Sequence, residues 1–253
     1  MTALGDRAMI GEEKANVMSA LPVTRADLEA LLRERHLHAE PPPLRGLAPR
    51  ALPLPTGVRP LDLALGGGLP RGQMSEVFGP ASSGRTGVAV SLFADVTARG
   101  GLGALVDPAD RFDPASAQAA GVDLDRLLWV RGPGRSEANG LSASAAAAAR
   151  LVEAGLFEIV LLDLAAHHDG ELRRLPAATW LRLQRSVAHT HCVFLVLAGH
   201  HVAHGPGGAS VALVPRGGRF CGAAGPGRLL TGLAAEAVAG RHGFRRAPVE
   251  LGA

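Results

Sequence analysis

The feature that most narrows the fold of this chain is an apolar run leading into Gly79-Pro80-Ala81-Ser82-Ser83-Gly84-Arg85-Thr86, followed by a helical pattern. Glycine, four residues, glycine, a cation and a hydroxyl residue is the spacing of a loop whose backbone amides turn inward around phosphate oxygens. The helix N-terminus that follows adds positive potential. Thr86 stands where a hydroxyl ligates Mg²⁺. One position departs from the pattern, because Arg85 replaces the usual lysine. An ammonium is a compact point charge, whereas a guanidinium is broad and planar and fits the same cavity less well. Two readings therefore stay open: the loop holds a nucleotide such as ATP with Mg²⁺, or Arg85 pairs with a carboxylate and the loop is kept for folding.

Around this loop, apolar runs alternate with helical patterns, the mark of βαβ units and a parallel sheet. Strands are expected at 75–78, 103–106, 127–130, 158–162 and 192–197, with helices at 87–99, 114–120, 137–154 and 177–189. The run ending in Asp163 has the layout of a carboxylate that holds Mg²⁺ through water. After Gly199 the texture shifts to Gly, Pro and Arg with short alternating strands at 209–214, 228–234 and 249–251, which suggests an antiparallel edge. At the other end, 1–23 reads as a mobile arm, and Thr24 with Asp27 opens a short helix through about Arg35, striped by Leu28, Leu31 and Leu32. That helix either packs on the chain's own core or docks a partner. Pro41, Pro42 and Pro43 start an extended linker reaching about Pro55. The expected organisation is an arm, helix and linker at 1–53, a core at 54–200 and a loop-and-strand extension at 201–253. The fold class is α/β: a mostly parallel central sheet, helices on both faces and an antiparallel C-terminal extension.

Composition excludes several classes. With 47% apolar and 19% charged residues over 253 positions, the chain is globular rather than disordered. No apolar stretch reaches the roughly 18 residues that a membrane span requires, and Asp6, Glu12, Glu13 and Lys14 do not fit a signal peptide. Cys192 and Cys221 show no metal or redox spacing, so a reducing cytoplasm is expected. The sequence pI of about 9.6 comes from an arginine excess, which fits either phosphate contacts or a GC-rich coding sequence.

A family can be named from two segments. Leu54-Pro55-Thr56-Gly57 with 61–72, and 76–86, closely resemble the entry to the RecA recombinase ATPase core. Asp107, Asp113-Pro114 and Gly121-Val122-Asp123 keep the family spacing, so the resemblance covers about 54–200 and implies a RecA-like P-loop core. The resemblance also marks departures. The family's catalytic glutamate falls at Ala109, its adenine-stacking tyrosine at Ser116 and its γ-phosphate-sensing glutamine at Gly199. Asp110, one residue beyond Ala109, points to the other face of an extended segment and is a poor replacement base. Asp113 remains as a nucleotide-site residue by position. The segment after Asp163 is shorter than the family's first DNA-binding loop.

Among RecA-like families, the Leu-Pro-Arg-Gly at 69–72, the altered loop and the ending near Leu233–Ala237 most resemble the ImuA proteins. That resemblance implies an adaptor in DNA-damage-induced translesion synthesis. Its partners would be an inactive polymerase homologue (ImuB) and an error-prone replicative-type polymerase (DnaE2), with RecA and DNA as further candidates. The other function class is a slow DNA-dependent ATPase modulating recombination.

His200 and His201, at the end of the last core strand, and Arg216, Arg219, Arg245 and Arg246 in the tail are either contacts to DNA or a partner, or solvated loop histidines and an exposed arginine face with no role. His167, His168 and His204 accompany the histidines. Flanking glycines and proline argue against a helical metal site. Arg228 and Arg241 accompany the arginines. Phe220 and Phe244 are the only aromatics among them, so stacking on single-stranded bases has limited support.

Overall fold

The computed structural model describes residues 52–132, 140–202, 208–223, 225, 227–240 and 244–252, together with Ala26, Ala30 and Glu34. Those last three are helical and exposed, in line with a helix at 24–35. The arm at 1–23, the stripe of Leu28, Leu31 and Leu32, the linker prolines Pro41 to Pro43, His204 and Arg241 lie outside the described residues.

Five short apolar runs form parallel strands: β1 (Gln73–Phe78), β2 (Gly103–Asp107), β3 (Leu127–Arg131), β4 (Ile159–Asp163) and β5 (Val193–Ala198). Each bound falls within two residues of its expectation, because strands buried on both faces read as continuous apolar runs. Helices α1 (Arg59–Leu65), α2 (Arg85–Ala98), α3 (Pro114–Ala119), α4 (Gly140–Ala154), α5 (Asp169–Leu172) and α6 (Ala177–Val187) cover them. Strand order is β3-β2-β4-β5-β1-β6-β7-β8.

Side-chain alternation divides the core. On β4, Val160 and Leu162 pack toward α4 and α6, while Ile159 and Leu161 join the cluster around α2. Because the period is two, Asp163 falls on the α2 side with Leu161, and Asp107 falls there with Leu105. Both carboxylates thus leave the sheet toward the start of α2. On the opposite face, Ala145, Ala148 and Ala149 let α4 approach the sheet closely, with Trp180, Leu183 and Val187 of α6 beside them.

Three features differ from the expectations. Residues 52–55 are no free linker: Leu54 is fully buried and pairs with Leu69 in an antiparallel bridge. Helices α1 and α5 were not expected, although Pro60 near the start of α1 and Gly66 at its left-handed C-cap frame that helix. The tail strands are also longer than expected: β6 (Ser210–Cys221), β7 (Leu229–Gly240) and β8 (Phe244–Gly252). The extension is antiparallel from β6 to β8, but β6 joins β1 in parallel through Glu76↔Ser210 to Phe78↔Ala212. Beyond Ala212, β6 runs past the end of β1, so the β6–β7 ribbon extends beyond the sheet's carboxyl edge. Its base is anchored by Val211, Leu213, Ala237, Val249 and Leu251 in the α2-side core.

Candidate functional site

The glycine-rich loop links β1 to α2, with Gly84 at φ +93° and Ser82 at +59°. A side chain on Gly84 would meet Leu251 of β8, and one on Gly79 would meet the Leu213 carbonyl and Ser83. The loop glycines therefore also seat the C-terminal strands against the loop. Arg85, first residue of α2, donates from Nη1 to the Ala198 carbonyl at 2.6 Å. The Gly79 amide reaches the same oxygen at 3.4 Å. Burial holds the Arg85 guanidinium below its ordinary pKa, and the charge of Asp163 opposes that shift.

Next to the loop lies a cleft of about 240 Å³, lined by Arg85, Thr86, Asp107, Ala109, Arg111 and Asp163 above an apolar floor that includes Phe93 and Leu161. Asp163 accepts the Ala165 amide at 2.8 Å. Desolvation pushes its carboxyl up, and the nearby charge of Asp107 adds to the rise, while the Ala165 amide, Arg85 and His167 oppose it. Asp107 is almost fully buried, and its Oδ2 accepts the amides of Arg111 at 2.7 Å and Phe112 at 2.8 Å. Trp129 Nε1 lies 3.4 Å from the same oxygen. Oδ1 of Asp107 is buried with no hydrogen-bond partner among the described residues.

Ala109 faces this cleft, so the position that the family resemblance gives to a water-activating glutamate carries a methyl group. Asp110 is no replacement. At φ +52° it forms a two-point pair with Arg131, each contact 2.7 Å, and the Arg131 guanidinium lies 4.6 Å from the centre of the Trp129 ring. The hydrogen bond from Arg131 holds the Asp110 carboxyl below its ordinary value.

The structure thus gathers the loop, Arg85, Thr86 and Asp163 in one place. Asp113 is not among the residues lining the cleft. It is exposed, caps α3 through the Ala115 amide and accepts a hydrogen bond from Ser116, which stands at the tyrosine position. The Ser116 hydroxyl lowers its pKa. Sequence reasoning used Asp107 only to mark the family spacing. Its signal as a site residue was the one that identified Asp163, an apolar run ending in Asp.

The histidines sit where β5 ends. His201 Nδ1 lies 2.8 Å from Glu76, a buried carboxylate on β1 that also accepts the Val202 amide at 2.8 Å. His200 pairs with Asp169 at 2.8 Å, and His167 pairs with Glu171 at 3.2 Å. Among the described residues, no group of three or more His, Cys, Asp or Glu is placed to hold a metal ion. In the extension, Arg216 and Arg246 both reach Glu236, and Arg219 pairs with Glu250. Arg245 is exposed on β8. Among the described residues, no helix is long and apolar enough to cross a membrane.

Comparison with known proteins supports a RecA-like core. Residues 50–170 match the family model of the RecA N-terminal domain. Protein RecA of Symbiobacterium thermophilum is 43% identical over 111 residues, covering 44% of this chain and 30% of that protein. Protein RecA of Lactobacillus delbrueckii subsp. bulgaricus is 41% identical over 159 residues, 57% of this chain and 46% of the relative. Protein RecA of Nostoc punctiforme is 52% identical over 73 residues, 29% of this chain and 20% of the relative. The matched region spans less than half the length of each of these relatives.

Proposed function

Because the chain carries a RecA-like core, we propose that it works as a cytoplasmic adaptor with a degenerate nucleotide site, acting in DNA-damage-induced translesion synthesis and mutagenesis. Its partners in this reading are polymerase-type proteins like ImuB and DnaE2, with RecA and DNA as additional ligands. The ImuA-like features of the sequence, Leu69-Pro70-Arg71-Gly72 and the altered loop, point to this branch of the family.

One observation carries the reading: no glutamate faces the cleft, and its two aspartates each hold backbone amides of their own chain. Asp107 is occupied by the amides of Arg111 and Phe112, Asp163 by the amide of Ala165, and Ala109 stands where a base is needed. A general base contributes about 10²–10⁴ in rate, so an ATPase without one is slow.

The residues fit a nucleotide unevenly. Thr86 and Asp163 share the cleft and suit Mg²⁺. Arg85 does not fit the lysine's role, since its guanidinium is engaged by Ala198, and Ser116 offers no ring to stack on adenine. A nucleotide held by the amides of Gly79–Gly84 would supply binding energy to the fold.

The test is co-purification of the full chain with ImuB-like and DnaE2-like polymerases. The expected result is a complex that survives gel filtration and is indifferent to ATP. Absence of association with both polymerases at micromolar concentrations would remove the adaptor role.

A further inference from the structure

Ala198, the last residue of β5, is where the glycine-rich loop and the next segment of chain meet. Its carbonyl accepts the Gly79 amide from the start of the loop and Arg85 Nη1 from the end. Three of the four residues that follow are anchored. Glu76 takes the Val202 amide and His201, and Asp169 takes His200. Gly199 leaves space for the guanidinium: a Cβ built there would already touch Arg85 Nη1 at 3.7 Å. A longer side chain at 199 would have to share that space.

We propose that Arg85 is a built-in clasp that holds the exit of β5 against the glycine-rich loop whether or not a nucleotide is present. The two departures at Arg85 and Gly199 then become one device. The longer cation reaches the strand end directly, and the residue beside that end carries no side chain to crowd it. A lysine could place a single charge near the loop, but the guanidinium carries five donors on a rigid fork, so one can be committed to a carbonyl. The attraction of Asp163 for the guanidinium favours the same placement. This inference rests on the reading of a non-hydrolysing site and extends it. The segment 198–202 is constitutively set, so a partner surface built on it does not wait for ATP.

Hydrogen–deuterium exchange on the full-length protein tests this, followed in peptides covering 196–202 with and without millimolar MgATP. Wild type is expected to show the same protection in both conditions. Arg85→Ala is expected to speed exchange of 198–202 by about tenfold, as a local opening does. Gly199→Gln, which crowds the guanidinium without removing it, is expected to give a smaller acceleration in the same peptides. Far-UV circular dichroism establishes that both variants are folded. The proposal is overturned if MgATP changes protection of 198–202 in wild type. It is also overturned if folded Arg85→Ala and Gly199→Gln both exchange like wild type. Loss of polymerase association with this exchange pattern intact would count against the adaptor role alone, so the two ideas fail separately.

Discussion

Two segments border the cleft, and they have fared differently. The loop from Gly79 to Thr86 keeps its glycine spacing, its following helix and its hydroxyl residue, with only its cation changed. The segment from Asp107 to Ser116 keeps its backbone path but presents Ala109 to the cleft and a serine at the family's stacking position. Several of the residues that persist are bound to their own chain, while Thr86 lines the cleft. Gly79 and Gly84 make room for Leu213 and Leu251, Asp107 holds two amides, and Asp113 caps α3. The positions that have changed are those whose family role points toward a ligand. The retained scaffold thus also serves packing, independently of any ligand.

Substitutions can break or sharpen that contrast. Asp107→Ala should have the largest effect, because it empties a buried position and leaves the part-buried amides of Arg111 and Phe112 without an acceptor. A loss of about 3 kcal/mol is expected in urea unfolding. A loss below about 0.5 kcal/mol would mean that Asp107 was not kept for the chain. Leu251→Ala should follow at about 2–3 kcal/mol, since this buried side chain packs on the loop glycines.

Gly84→Ala should cost about 1–2 kcal/mol through its left-handed backbone. Its cost should shrink in a Leu251→Ala background, where the cavity accepts the new methyl group. Simple additivity in that double-mutant cycle would show that loop and strand do not depend on each other.

The smallest effect should come from Asp163→Asn, measured without Mg²⁺. The folded carboxyl titrates above its unfolded value, so the native state holds its proton more tightly. Stability then falls as pH rises from the unfolded pKa near 4 through the folded one. The asparagine variant should accordingly be more stable than wild type at pH 7, with an advantage that fades toward pH 4. An advantage that instead grew toward pH 4 would reverse the sign assigned to this group.

Much of the fold was legible because it is written locally. Apolar runs gave the five core strands, but the face shared by Asp107 and Asp163 follows only from the strand bounds and core clusters of the structure. Helix α1 was harder to read, being seven residues long within a stretch matched as a family motif. The length of β6 was hidden because its second half, from Val214 to Cys221, is exposed, so no core imposes an alternation there, and Pro215, Gly217 and Gly218 read as loop.

Within the site, the loop, Thr86 and Asp163 could be read from spacing. The contact that distinguishes this chain could not, because Arg85 meets a backbone carbonyl 113 residues away. Glu76 and His201 are 125 residues apart. A lone acid inside the apolar run of β1 was the available hint. The arginines of the tail were visible as charges, but their cross-strand partners Glu236 and Glu250 depend on a register that sequence did not supply.

The central claim is a phosphate-loop scaffold without hydrolysis, and ATP turnover tests it most directly. Wild type and Asp163→Asn would be assayed side by side with Mg²⁺, in the presence and absence of single-stranded DNA. The account predicts that both proteins stay at the background rate in every condition. A DNA-stimulated rate in wild type that Asp163→Asn abolishes would contradict it and make the chain an ATPase.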